Sequence, residues 1–310
     1  MSPAPKSASK SAHHPERMQR PRPRLHAGMA CDTAFRVVAR GCLWDLTANQ
    51  EAAYRGDPEA LHRMRIALTR LRTAISFFSP MVADPQRARI RNELKWLHAH
   101  LGAVRDLDVA IEWLKEVNKR AKVTPGYQAW KGRRADGHRR LARALRSIRY
   151  RRLVKSTCGW IENGHWSMKK GRKARLRRAS SLDASGARKL ERWLKEILKK
   201  SRKLQVMSAK KRHRLRLLNK KLCYSIEFLT DLYSDKPSSK HQAALKYLRQ
   251  AQKSLGQLND DAENATLAIA LKRDGVRLSM PLLGRKHKKR LLRTAGAAYR
   301  KLAVLKPIGI

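Results

Sequence analysis

A basic, histidine-led segment occurs twice in this chain: HRMRIALTRLRTAISFF at residues 62–78 returns as HRLRLLNKKLCYSIEFL at residues 213–229. Aligned without a gap, His62/His213, Arg63/Arg214, Arg65/Arg216, Leu71/Leu222, Ile75/Ile226 and Phe77/Phe228 are identical. A doubled element of this kind constrains the chain to two similar halves around one shared site. The agreement extends outward. Asp57 and Ser208 stand at matching distances before the two histidines, each a good helix N-cap, and Pro58 occupies the tolerated first helical position. Downstream, LGAVRDLD at 101–108 is echoed by LGQLNDDA at 255–262, where the glycine is expected to end one helix and the aspartate to cap the next.

Apolar residues recur at helical period almost everywhere. Phe35, Val38, Cys42 and Leu46 form one stripe; Leu61, Met64, Leu68, Leu71, Ile75 and Phe78 form another; Leu190, Trp193, Leu194 and Ile197 continue the pattern in the second half. Strand-like alternation is missing. Turn-forming clusters then predict an all-α protein of two pseudo-symmetric four-helix halves, with extra helical material between residues 126 and 163. The expected organisation is a disordered basic N-terminal arm (1–28) and a domain over 29–305. Its halves are 29–163 and 186–305, joined by a linker at 164–185.

On a helical wheel the repeated segment buries its Leu/Ile/Phe stripe and sets His62, Arg65 and Arg72 together beside it; His213, Arg216 and Lys220 take the same face in the second copy. From His62 to Arg72 such a row is about 15 Å long, a track for successive phosphates and not a socket for one. Charge points the same way. With 72 Lys+Arg against 24 Asp+Glu the formal charge is +48, a self-repulsion that a polyanionic partner would relieve.

These paired segments resemble the CHAD domain, the conserved-histidine α-helical domain. Its signature reads roughly His-x-x-Arg-x-x-x-Lys-Lys-Leu-Arg-Tyr in each half, with Leu-Gly-x-x-Arg/Asn-Asp downstream. The first copy matches at His62, Arg65, Arg70 and Arg72 and departs at Thr69 and Thr73. The second matches at His213, Arg216, Lys220, Lys221 and Tyr224 and has Cys223 where Arg is usual. The resemblance, running from about Met29 to Ala303, implies binding of inorganic polyphosphate between the halves, often with association to polyphosphate granules. A scaffold reading, in which the arm and exposed helices recruit granule-associated proteins, is compatible with it and has no distinct motif. The candidate binding residues are His62, Arg63, Arg65, Arg70, Arg72, His213, Arg214, Arg216, Lys220 and Lys221.

Other chemistries fare worse. Cys31, Cys42, Cys158 and Cys223 are scattered, with no C-x-x-C pair, and suggest neither zinc nor a disulfide framework. No metal, cofactor or catalytic machinery is expected. Arg105, Asp106 and Asp108 read as a cap with an internal pair, and His98 and His100 diverge on a helix. GWIENG at 159–164 lacks the Lys and Ser/Thr of a P-loop. The Glu-x-Glu-x-Lys signature of the CYTH triphosphatase domain, a frequent companion of CHAD, is absent. The chief rival is non-specific nucleic-acid binding through clusters such as residues 169–178 and 285–290. Trp96, Trp113 and Trp193 sit in apolar stripes and read as core rather than as stacking platforms. No uncharged run approaches the ~18 residues of a membrane span, and a cytoplasmic location is expected.

Overall fold

A computed structural model of the chain describes residues 25–26, 28–117, 125–230, 239–274 and 282–305. The first half runs through α1 (Cys31–Ala48), a short α2 (Gln50–Tyr54), α3 (Pro58–Phe77), α4 (Pro85–Val117), α5 (Pro125–Arg146) and α6 (Ile148–Asn163). Two short helices, α7 (His165–Met168) and α8 (Arg172–Ala179), lead into α9 (Leu182–Ser201), α10 (Ala209–Thr230), α11 (Ser239–Arg273) and α12 (Arg285–Val304). Among the described residues β pairing is confined to one isolated bridge, Ala30 with Ser181.

The repeated segments become α3 and α10 for the reasons their sequences give. Gly56, at φ +90, turns the chain before α3, and the Asp57 carboxylate accepts the Glu59 amide at 2.8 Å with Pro58 following at the first helical position. Met64, Leu68, Leu71 and Ile75 are then buried on one stripe, and Leu215, Leu222 and Ile226 repeat it on α10. Each such aliphatic side chain contributes roughly 1.5–3 kcal/mol by leaving water. One continuous core joins both halves, and α3 packs directly on α10.

The duplication is visible in the backbone. The Cys31 amide donates to the Ser180 carbonyl at 3.0 Å and the Leu182 amide to the Met29 carbonyl at 2.9 Å. Cys31 and Leu182 are related by the same sequence step as His62 and His213, as are Met29 and Ser180. The bridge therefore pairs the start of each half with its own copy, which places a local pseudo-twofold axis between α1 and α9.

α6, part of the extra helical material expected between residues 126 and 163, folds back on α1, α4 and α5. Four features depart from the sequence reading. The expected linker is ordered: Trp166 is fully buried, its indole donates to the Trp160 carbonyl at 2.8 Å, and Asp84 accepts from both the Trp160 indole and the Trp166 amide. Gly164 is required there, because a Cβ would stand 2.5 Å from the Trp160 carbonyl oxygen. α9 begins at Leu182, inside the span assigned to the linker. Leu25 and Met29 belong to the core, so any arm ends before Leu25; residues 1–24 and 27 lie outside the described residues.

The fourth departure matters most for function. Gly102 and Gly256 do not end helices, and Asp106 does not cap one, because α4 and α11 run unbroken through both motifs. Local turn chemistry is overridden by the apolar stripe Leu94, Leu97, Leu101 and Val104, which stays buried across Gly102.

Candidate functional site

The site is built where α3 meets α10, with α4 and α9 alongside. Arg65 donates to the Leu101 carbonyl at 3.0 Å, an approach made possible by the absence of a side chain at Gly102, where a Cβ would meet the Arg65 guanidinium at 3.3 Å. Gly102 therefore serves close approach and not helix termination. Lys220, from the other half, has a lowered pKa because burial disfavours its charge and because Arg216 and Arg65 lie near. The same proximity acts on His98 of α4. Burial and then Arg72, Arg65 and Lys220 push its imidazole down to about 4, which leaves it neutral at pH 7, and its Nδ1 is buried without a partner among the described residues.

The cluster continues along α3 and α10. His62 is lowered by burial, then by Arg105, with Lys220 and Arg65 contributing in the same direction. Arg72 is lowered by burial and by Arg91. Lys221 keeps solvent-exposed surface, yet partial burial followed by Arg72 and Arg91 also lowers its ammonium. Lys189 of α9 extends the run, lowered by burial and by Arg192 and Lys221. Among the described residues Arg72, Arg216, Lys220 and Lys221 form no ion pair with a carboxylate, and Arg216 Nε is buried without a partner. Cations crowded by cations and short of counter-charges are poised to take a multivalent anion.

Carboxylates border one side. Partial burial raises Asp106 and Asp260, with Arg65 and Arg216 respectively opposing it and Glu263 adding to it, although both aspartates keep exposed surface. Among the described residues no group of three or more His, Cys, Asp or Glu side chains could hold a metal ion.

A family model, the CHAD domain, matches residues 37–268, well over half of the chain. The chain belongs to the CHAD domain family. The crystal structure of the CHAD domain from the plant Ricinus communis superposes with a TM-score of 0.68 at 24% identity, covering 92% of this chain and 91% of that one. PptA from Streptomyces chartreusis superposes with a TM-score of 0.52 at 13% identity, covering 90% and 97%. At such identities the superpositions show the fold. No curated protein sequence matches the chain.

Within this CHAD domain the residues singled out from sequence separate into groups. Arg65, Arg72, Arg216, Lys220, Lys221 and His62 come together as described. His213 is engaged by a partner of its own: its Nδ1 lies 2.6 Å from Asn259 Oδ1, and Asn259 in turn donates to Glu263 at 2.8 Å. Arg70 lies over the Tyr224 and Phe228 rings at 5.9 and 5.3 Å and so helps join the halves. Arg63 is engaged by Asn49 at 2.7 Å and by Asp57 and Glu59, a local structural role at the start of α3. Arg214 is exposed.

Sequence reasoning did not assign Arg91, His98, Arg105 or Lys189 to this cluster. The first three recur at seven-residue spacing on α4, which keeps them on one face. That periodicity was available as a signal, but it becomes meaningful only when α4 is known to run unbroken beside α3. Trp193 is buried and Trp96 half-buried against the core, as expected, while Trp113 has no described side-chain environment. Among the described residues no helix is long and apolar enough to cross a membrane.

Proposed function

We propose that this CHAD domain protein binds inorganic polyphosphate through the cationic cluster at the α3–α10 junction, without catalysing its turnover, and does so at polyphosphate granules. The observation that carries this reading is the position of Lys220 beside Arg65 and His98 of the other half, with Arg72 also near His98, in a cluster whose carboxylates border one side only. A flexible chain of phosphates offers repeated charge without bases, so rows of Arg, Lys and His can engage it with neither a groove reader nor a stacking platform. The family membership and the bordering His62 and His98 are compatible with this ligand.

A second reading, non-specific nucleic-acid binding, is favoured by the largely exposed cations of residues 169–178, which would release counterions on any polyanion. Titration of labelled polyphosphate with competing duplex DNA and RNA at ~150 mM salt, where non-specific nucleic-acid binding weakens, separates the two. Polyphosphate should prevail at equal phosphate content. Equal competition would favour the nucleic-acid reading.

A further inference from the structure

The cationic cluster is lopsided, although the fold around it is pseudo-symmetric. Arg105, His98 and Arg91 follow one face of α4; from the second half Lys220 lies near His98 and Lys221 near Arg91, with Lys189 beside Lys221. The links are continuous. Arg105 neighbours His62 and Arg65; Lys220 neighbours both of these and His98; Arg72 connects His98 to Lys221 and Arg91; Lys221 connects to Lys189. From Arg91 to Arg105 the α4 face spans about 21 Å at the helical rise.

Duplication supplies a counterpart for this face, and it has been discharged position by position. Where α4 has Arg105, α11 has Asn259, tied to His213 and Glu263. Where α4 has His98, α11 has Gln252, whose Oε1 accepts from the buried Asn219 at 3.1 Å. Where α4 has Arg91, α11 has the buried Leu245. The copies of Arg72 and Lys189 are the buried Cys223 and Val38. Lys220 corresponds to Thr69, bonded back to the Arg65 carbonyl, and Lys221 to Arg70, which is stacked on aromatic rings. Asp260 repeats Asp106 of α4, so the added negative charge on this side is that of Glu263, which stands where α4 has Val109 and also acts on Arg65.

We infer that the polyanion lies along a single lane on the α4 side, from Arg105 past His98 and Lys220 to Arg91 and Lys189, so that one protein holds one chain and the counterpart lane is silent. The inference rests on the polyphosphate reading and specifies where that ligand runs. An anion displaced toward α11 would lose these cations and approach Glu263, which has no acidic counterpart on α4, so attraction and repulsion act together on its register.

Isothermal titration of the full chain with short linear polyphosphate tests this. The unaltered protein should bind one chain. Replacing Arg91, Arg105 and Lys189 with Gln should weaken binding more than about tenfold and reduce the salt slope by about one unit per removed cation, whereas Arg172→Gln, Lys173→Gln and Arg175→Gln on α8 should change affinity little. The charge-keeping set Arg91→Lys, Arg105→Lys and Lys189→Arg should restore most of the affinity, which separates lost contacts from lost folding. Two equivalent chains per protein, equal losses in the α4 and α8 sets, or no rescue by the charge-keeping set would each overturn the lane. No binding by the unaltered protein at ~150 mM salt would remove the polyphosphate reading itself, and the lane with it.

Discussion

The α3–α4 pair and the α10–α11 pair descend from one repeated pattern, yet they now have different chemistry. Both bury the same stripe, with Met64, Leu71 and Ile75 answered by Leu215, Leu222 and Ile226. Beside that stripe, α4 presents Arg91, His98 and Arg105, while α11 presents Leu245, Gln252 and Asn259. Packing tolerates little change at close-packed positions, whereas polar positions at the margin are free to diverge as long as each finds a partner. Asn219 shows that even a fully buried position can change once its polar atoms find partners. It occupies the copy of the buried Leu68 and has become a hub, donating to the Leu248 carbonyl at 3.0 Å and to Gln252 and accepting from the Tyr299 hydroxyl at 3.2 Å.

The contrast is broken most forcefully at the junction. Arg65→Ala with Lys220→Ala removes two charge-assisted contacts to the anion, each worth about 1.5–3 kcal/mol, so polyphosphate affinity should fall by a hundredfold or more. Arg63→Ala with Arg214→Ala, equally cationic but the first engaged at the start of α3 and the second exposed, should cost far less. Fluorescence titration with a labelled chain measures both, and similar losses would show that bulk charge and not position governs binding.

Exchanging the core residues of the two halves is the next test. Leu68→Asn buries an amide with no hub around it and should destabilise the fold by about 3 kcal/mol. Asn219→Leu leaves the Tyr299 hydroxyl and Leu248 carbonyl without their partner and should cost about 1–3 kcal/mol. Urea unfolding followed by circular dichroism reads the two values; equal tolerance at both positions would mean that the halves are interchangeable.

Smaller effects are expected at the paired glycines. Gly256 faces open space, so Gly256→Ala should stabilise by about 0.5–1 kcal/mol through helix propensity. At Gly102 the new methyl would crowd the Arg65 guanidinium at 3.3 Å, so Gly102→Ala should gain less stability and weaken polyphosphate binding. Thermal melts alongside a binding titration distinguish the positions.

The mildest effect concerns pH. Burial, then Arg72 and Arg65 on α3 and Lys220 on α10, push the His98 imidazole from its ordinary 6.5 down to about 4 in the folded protein. The unfolded chain therefore takes up this proton first. The contribution of His98 to stability is full above pH 6.5 and declines as pH falls from there toward 4. A bound polyanion favours the imidazolium, so affinity should strengthen as pH falls through the same window. His98→Gln should flatten both profiles in melts and titrations, with Gln252→His as the matched change on α11. An unaltered affinity profile in His98→Gln would place the titrating group elsewhere.

Much of this architecture was legible in the residues alone. Helical period, caps and the doubled motif were enough for two α-helical halves, and they placed Arg65, Arg72, Arg216 and Lys220 beside the core stripes, because side-chain direction on a helix follows from sequence spacing. The seams were less legible. Glycine before aspartate at 101–108 reads locally as a helix end, and only the buried stripe continuing through Gly102 made α4 one helix. The same holds for residues 164–185, whose ordering depends on Trp166 filling a pocket formed by distant segments.

The sequence by itself therefore determined the elements, their apolar faces and the sign of the charge that a partner must carry. The tertiary structure alone decided which cations meet: Lys220 with His98 across the junction, Arg70 withdrawn onto rings, Arg63 onto Asn49. The physical reason is range. Periodicity and capping act within a few turns of one helix, whereas the electrostatics of the site depend on separations between helices that only the packed core sets.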